Sequence, residues 1–180
     1  MTTRVSAAFC AAVLLAAAAL ATTVRPVSLE TLTQQASTVV EARAMESWSA
    51  WDDQQHLIFT YTKLQVSKAL KGAPGHTITV KQLGGSARGF TQKVSGVRHF
   101  IPGEETVLFL TPSDAHDGSM AVVGLMQGQF RVHRSSAGEA TVTNGMPDVQ
   151  QLSNGRVMQY SGDHMSLNDL EQRVKGANLK

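Results

Sequence analysis

Histidine is the residue type best suited to bind a metal or to transfer a proton near neutral pH, and the chain contains six histidines. They are scattered singly, at His56, His76, His99, His116, His133 and His164. No two have the i, i+4 spacing that places metal ligands on one face of a helix, and the zinc-protease pattern H-E-x-x-H is absent. We therefore predict no metal site and no cofactor.

The glycine-rich segment Gly84–Gly89 is the next place where chemistry could occur. It resembles the G-x-S-x-G turn that presents a catalytic serine, but Arg88 stands where the last glycine belongs and no helix pattern follows. It also lacks the G-K-[ST] that completes a phosphate-binding loop. We interpret the segment as a structural loop, and the sequence predicts a protein that is not an enzyme.

The clearest pattern in the chain is one of charge. The whole sequence is nearly balanced, with a net charge of +2, yet no acidic residue occurs between Asp53 and Glu104. The same stretch carries seven basic residues, namely Lys63, Lys68, Lys71, Lys81, Arg88, Lys93 and Arg98. This asymmetry indicates an anionic partner. The alternative is a solvated face whose lysines keep edge strands from aggregating.

Aromatic side chains lie beside the start of the basic stretch. Trp48 and Trp51 flank a predicted turn, and Phe59 and Tyr61 follow it. Exposed aromatic rings on a β surface can stack on bases or sugars. The alternative is a hydrophobic cluster that closes one end of the fold.

The amino terminus has the three parts of an export signal. Arg4 supplies the positive charge, Val5–Leu20 is almost wholly apolar, and Ala19-Leu20-Ala21 is a small-x-small cleavage site. We predict a signal peptide over residues 1–21 and an exported protein, periplasmic or extracellular, with no transmembrane segment after cleavage. The only cysteine, Cys10, leaves with the signal, so residues 22–180 contain neither a disulfide nor a thiolate.

Residues 22–180 have a length that suits a single domain. Their patterns predict a short helix over 28–36, a series of short strands, and a last helix over 166–175 that Gly176 ends. The predicted strands are 39–48, 57–70, 77–83, 106–111, 120–126 and 129–133, with 141–143 pairing back onto the last of these. The remaining long segments, 84–103 and 144–162, are predicted to be irregular.

Two details of these strands bear on the architecture. The alternation of apolar and polar residues in 57–70 slips near Lys68-Ala69, which predicts a β-bulge. The run 106–111 is apolar on both faces and predicts a buried central strand. Predicted core residues are Ile58, Leu64, Val66, Ile78, Val80, Val107, Phe109 and Val123. Strands that follow one another by short turns favour an antiparallel barrel, with its core over about 37–143.

Several short motifs resemble the netrin-like, or tissue-inhibitor-of-metalloproteinase-like, version of the OB-fold. Residues 39–43 read VVEAR, residues 61–66 read YTKLQV and lead into ALKG at 69–72, and 100–110 read FIPGEETVLFL. The segment 123–130, VGLMQGQF, is similar to the end of the barrel in exported bacterial proteins of unassigned role. The resemblance covers roughly half the chain and implies a mainly β protein, an OB-like antiparallel β-barrel flanked by two helices.

The chain departs from the animal members of that family in one respect that matters for function. Those proteins inhibit metalloproteases by placing an amino-terminal, disulfide-bonded cysteine on the catalytic zinc. Residues 22–180 contain no cysteine, so this mechanism does not carry over.

We expect a non-enzymatic, exported binding module that recognises an anionic envelope polymer or a protein, with nucleic acid disfavoured outside the cytoplasm. OB-folds bind through the second and third strands and the adjoining loops, here about 57–83 and 84–100. The expected binding residues are Lys63, Lys81, Arg88, Lys93 and Arg98. One alternative, implied by the resemblance alone, is a protease-binding or inhibitory protein that acts without zinc chelation. The other is a hydrolase with an unrecognised site.

The export signal gives a first testable prediction. Intact-mass measurement on protein recovered from the cell envelope or the medium should show a chain that begins near Thr22, because signal peptidase accepts Ala19-Leu20-Ala21. Exported protein that retains Met1 would contradict it.

Overall fold

The structure is a computed structural model that describes residues 23–115, 117–145, 149–153 and 156–179. The predicted signal peptide lies outside the described residues. Among those residues, no helix combines the length and the apolar character that a bilayer crossing demands.

The described chain is mainly β, with two α-helices, α1 (Leu29–Gln35) and α2 (Leu167–Asn178). A short 3-10 helix spans Leu125–Gly128. The strands are β1 (Thr23–Val24), β2 (Thr38–Trp51), β3 (Ile58–Lys71), β4 (Thr77–Leu83), β5 (Gly85–Ala87), β6 (Phe90–Gln92), β7 (Glu105–Pro112), β8 (Met120–Val122), β9 (Gln129–Arg134), β10 (Ala140–Thr143), β11 (Gln150–Ser153), β12 (Arg156–Gln159) and β13 (His164–Ser166).

Both helices begin where the sequence predicts. The Ser28 hydroxyl accepts a hydrogen bond from the Thr31 amide at 3.2 Å, and the Ser166 hydroxyl accepts one from the Asp169 amide at 3.0 Å. Each serine thereby satisfies an amide that has no partner within its helix. Gly176 does not end α2, which continues to Asn178, because a glycine inside a helix costs only about 1 kcal/mol relative to alanine.

Eight strands form the main sheet, in the order β13-β10-β9-β7-β2-β3-β4-β8. Strand β8 also pairs with β7, so β2, β3, β4, β8 and β7 form a closed cycle of hydrogen-bonded neighbours. Every pairing in this cycle is antiparallel except β4–β8, a parallel contact at Val80 and Met120. The cycle places β3 and β4, which carry the predicted basic face, side by side.

The two longest strands pair along their whole length by shifting register. Val39 and Val40 pair with Lys71 and Ala69, which leaves Leu70 unmatched. Further shifts leave Ser67 and Met45 unmatched. The predicted bulge near Lys68-Ala69 is therefore confirmed, and shifts of this kind bend the strands enough for a sheet to curl.

Two hydrophobic clusters lie on opposite sides of β7. Val107 and Phe109 belong to a cluster that includes apolar residues of both helices, whereas Leu108 and Leu110 belong to one formed with β2, β3 and β4. This explains the apolar run, because alternate residues of one strand supply two cores. The prediction of a buried central strand is confirmed, since every residue from Thr106 to Leu110 is buried.

Most of the predicted core is buried, and the exceptions lie at its margin. Val66 and Ile78 are only partly buried and pack against the cluster formed with β2, β3 and β4. The buried ones are Ile58, Leu64, Val80, Val107, Phe109 and Val123.

Three segments differ from the sequence prediction. The predicted loop at 84–103 contains the hairpin β5–β6, whose strands are too short to show an alternating pattern. The predicted strand 120–126 ends at Val122, because Gly124 adopts a left-handed conformation, with φ of 67°, and begins the 3-10 helix. The segment 144–162, predicted to be irregular, carries β11 and β12, which form a separate sheet with β1.

The double-sided packing of β7 predicts a large effect of truncating its aromatic residue. Phe109 is fully buried and lies 5.8 Å from Phe130 between ring centroids. Phe109→Ala should lower the free energy of unfolding by about 3–5 kcal/mol. Urea denaturation measures this value, and Phe90→Ala is the matched control because that ring is 64% exposed. Equal losses in the two variants would contradict the packing described.

Candidate binding face

The side of β2, β3 and β4 that points away from the buried cluster carries the chemistry of interest. Directly paired residues of antiparallel strands project to the same side. Three rows of register partners form this surface, hereafter the outer face: Glu46–Lys63–Thr79, Trp48–Tyr61–Lys81 and Ala50–Phe59–Leu83. On β3 and β4, the residues between them in sequence are buried on the other side, namely Thr60, Thr62, Val80 and Gln82.

An aromatic stack lies in the middle row. The rings of Trp48 and Tyr61 are nearly parallel, with 11° between their planes and 5.6 Å between their centroids. Trp48 remains 46% exposed, so its ring offers a flat apolar surface to solvent. Because Trp48 and Tyr61 are register partners on hydrogen-bonded strands, the backbone holds the stack in place.

Lys81 completes the middle row but is not a free cation. Its ammonium lies 4.4 Å from the Phe59 ring centroid and 5.4 Å from that of Tyr61. It also lies 3.8 Å from the Asp117 carboxylate, and the Lys81 side chain is only 15% exposed. The lysine lies on the predicted side of its strand, but these attractions hold it against the aromatic rings.

The hairpin β5–β6 covers the ends of β2 and β3. At Gly85, φ is +132°, and a Cβ would lie 2.3 Å from the Thr60 hydroxyl and 2.5 Å from the Ser49 hydroxyl. Only glycine allows so close an approach. The hairpin places exposed Phe90 edge-on to Trp51, with 5.7 Å between centroids, and Arg88 at its tip.

Part of the basic stretch is neutralised by acidic groups outside it. Three of its seven cations form ion pairs: Lys68 with Glu171 (2.6 Å), Lys81 with Asp117 (3.8 Å) and Arg98 with Glu104 (2.5 Å). The Lys71 ammonium group donates a hydrogen bond to the uncharged Thr33 carbonyl at 2.6 Å. Lys63, Lys71, Arg88 and Lys93 have no ion-pair partner among the residues that the structure describes. The separation of charge along the sequence is thus partly cancelled in space.

Arg98 lies in the interior, not on the predicted basic surface. Its side chain is 15% exposed and that of Glu104 is 10% exposed. With its amide oriented to match its neighbours, Gln129 accepts from the Arg98 guanidinium at 3.0 Å and donates to the Arg98 carbonyl at 2.9 Å. Burial lowers the pKa of Arg98, and the Glu104 carboxylate opposes that shift. The pair therefore anchors the segment that enters β7.

The five expected binding residues are dispersed over several parts of the structure. Lys63 and Lys81 share the outer face, and Arg88 lies at the hairpin tip near Asp52 and Asp53. Lys93 lines a different cleft, and Arg98 is in the interior as described. The acids that approach this surface could not be foreseen from the basic stretch, because Glu46 and Asp117 lie outside it.

The aromatic residues contribute more to the outer face than their sequence pattern indicated. Phe59, Tyr61 and Lys63 occupy alternate positions of one strand, a spacing that indicates a shared face. Their partners on β2 depend on a register shift at Met45, which no local pattern reveals.

No group of three or more potential metal ligands occurs among the described residues. No family model matches the chain, and a search of the curated proteins found no match. The chemistry of the outer face is therefore the best guide to the function of the protein.

The interior position of Arg98 gives a prediction about stability. Arg98→Met leaves the Glu104 carboxylate buried without its partner and should lower the free energy of unfolding by about 3 kcal/mol. Arg43→Met is the matched control, because Arg43 pairs with the neighbouring Glu105 but is 52% exposed. Loss of that exposed pair should cost at most about 1 kcal/mol. Urea denaturation compares the two, and an unchanged midpoint for Arg98→Met would contradict the buried pair.

Proposed function

We propose that the protein is an exported, non-enzymatic binding module with an OB-like β-barrel, and that its outer face binds an anionic polysaccharide. The closed cycle of β2, β3, β4, β8 and β7 supports the barrel, since an OB-fold is a five-stranded Greek-key barrel. OB-folds bind through the face of their second and third strands. In this cycle those strands are β3 and β4, which carry Tyr61, Lys63 and Lys81.

The observation that carries the proposal is the exposed Trp48–Tyr61 stack with an unpaired lysine one row away. Aromatic rings combine an apolar face with rigid positioning, and such a face accepts the C–H face of a sugar ring. Lys63 lies two residues from Tyr61 on the same strand, which is about 7 Å along the surface. That spacing suits one sugar ring on the stack with its acidic group at Lys63.

Two acidic residues approach the outer face. The Asp117 carboxylate accepts hydrogen bonds from the hydroxyl and the amide of Ser119, which lower the pKa of Asp117. Glu46 is the register partner of Lys63. These two acids reduce the positive charge of the outer face, so the aromatic stack must contribute much of the affinity.

The test uses polygalacturonate as the acidic polysaccharide, dextran as its uncharged counterpart, and polyglutamate as a stand-in for an acidic protein. Trp48→Ala should weaken binding to polygalacturonate about tenfold, which corresponds to about 1.4 kcal/mol of lost stacking. The same variant should leave any binding to polyglutamate nearly unchanged. Isothermal titration calorimetry measures both affinities.

Lys63→Met should weaken binding to polygalacturonate and flatten its dependence on salt, because exposed charges are screened over about 8 Å at physiological ionic strength. Lys175→Met is the matched control, since it removes one exposed lysine from α2, away from the outer face. Equal affinities for parent, Trp48→Ala and Lys63→Met would refute the proposal. If polyglutamate binds more tightly than polygalacturonate, and Trp48→Ala does not weaken that binding, the partner is a protein instead.

A further inference from the structure

A second cleft lies between the hairpin β5–β6 and the following segment 93–99, and we name it the hairpin cleft. Its volume is about 600 Å³. The polar residues that line it include Ser86, Thr91, Lys93, Ser95 and His99. A cleft of this size with a few converging polar groups is typical of a small-molecule site.

The walls of the hairpin cleft are fixed by the backbone. The His99 Nε2 atom lies 3.1 Å from the Leu83 carbonyl, which can only accept, so this nitrogen carries the proton. The hydroxyls of Ser86 and Thr91 are hydrogen-bonded to each other at 2.8 Å across the hairpin. Beside them, a Cβ at Gly84 would lie 2.7 Å from the Gln92 carbonyl and 3.5 Å from the His99 ring, so glycine is required for this close packing. The site is therefore organised before any ligand enters.

Lys93 differs from the other cations of the basic stretch that lack an ion-pair partner among the described residues. The Lys71 ammonium group donates to the Thr33 carbonyl. Arg88 shares a cleft with the carboxylates of Asp52 and Asp53. Lys63 has Glu46 as its register partner. The described lining of the hairpin cleft, in contrast, contains no carboxylate.

We propose that the hairpin cleft binds a small polyhydroxylated anion, such as a sugar acid or a sugar phosphate. Its carboxylate or phosphate binds Lys93, and its hydroxyl groups hydrogen-bond to Ser86, Thr91 and Ser95. The apolar side chains of Val94, Val97 and Val149 also line the cleft and suit the C–H face of such a ring. This site is separate from the outer face and goes beyond the function proposed for it.

Nuclear magnetic resonance titration of ¹⁵N-labelled protein tests this proposal with glucuronate, glucose 6-phosphate and, as the uncharged control, glucose. At least one of the two anions should shift the amide signals of Ser86, Thr91, Lys93 and Ser95 in a saturable way, and glucose should not. The anion that binds more tightly identifies carboxylate or phosphate as the preferred group.

The variants assign that binding to the hairpin cleft. Lys93→Met should weaken it about tenfold or more, since a hydrogen bond to a charged group contributes about 1.5–3 kcal/mol, and Lys93→Arg should restore most of it. Lys63→Met should leave it unchanged, because Lys63 is on the outer face. The proposal is overturned if neither anion gives a saturable shift, or if Lys93→Met binds as tightly as the parent. Loss of binding in Lys63→Met also overturns it, while failure of the polygalacturonate experiment alone leaves the hairpin cleft supported.

Discussion

The 14-residue strands β2 and β3 can stay paired along their whole length only because their register shifts at three points. These shifts curl the strand pair, so that β2 also pairs with β7 through Thr38–Arg43 while β3 pairs with β4 through Phe59–Gln65. The strand β8 then joins β4 to β7 and closes the cycle. The part of the strand pair that does not pair with β7 carries Trp48. It also carries Ser49 and Thr60, against which Gly85 of the hairpin β5–β6 packs.

The distribution of charge depends on the same geometry. Because the strands curl, Glu171 of α2, which is distant in sequence, reaches Lys68. Arg98 pairs instead with Glu104, just beyond the end of the basic stretch. Net charge along a sequence window is therefore a poor guide to surface potential in a folded β protein. The four cations of this stretch without an ion-pair partner among the described residues lie in different settings, and their neighbours distinguish them more than their charge does.

Much of the fold could be predicted from local patterns. The helix caps at Ser28 and Ser166 and the apolar run 106–111 each depend on neighbouring residues, and the structure confirms them. The hairpin β5–β6 could not be predicted in this way, because three-residue strands have no periodicity and their pairing depends on the turn at Arg88-Gly89, where both φ values are positive. The interior position of Arg98 was equally hidden, since an arginine in a glycine-containing segment gives no sign of a buried partner. The outer face could not be predicted either, because its rows depend on the register of β2 against β3, which is a long-range property.

The most direct test of the proposed outer face uses the fluorescence of Trp48. In a Trp51→Phe variant, which keeps an aromatic ring against Phe90, Trp48 is the only tryptophan in the chain. Quenching of its emission by acrylamide is measured with and without saturating polygalacturonate. The polysaccharide should protect Trp48 from quenching, because a sugar ring stacks on a side chain that is otherwise 46% exposed. Binding of the polysaccharide with unchanged quenching would contradict it.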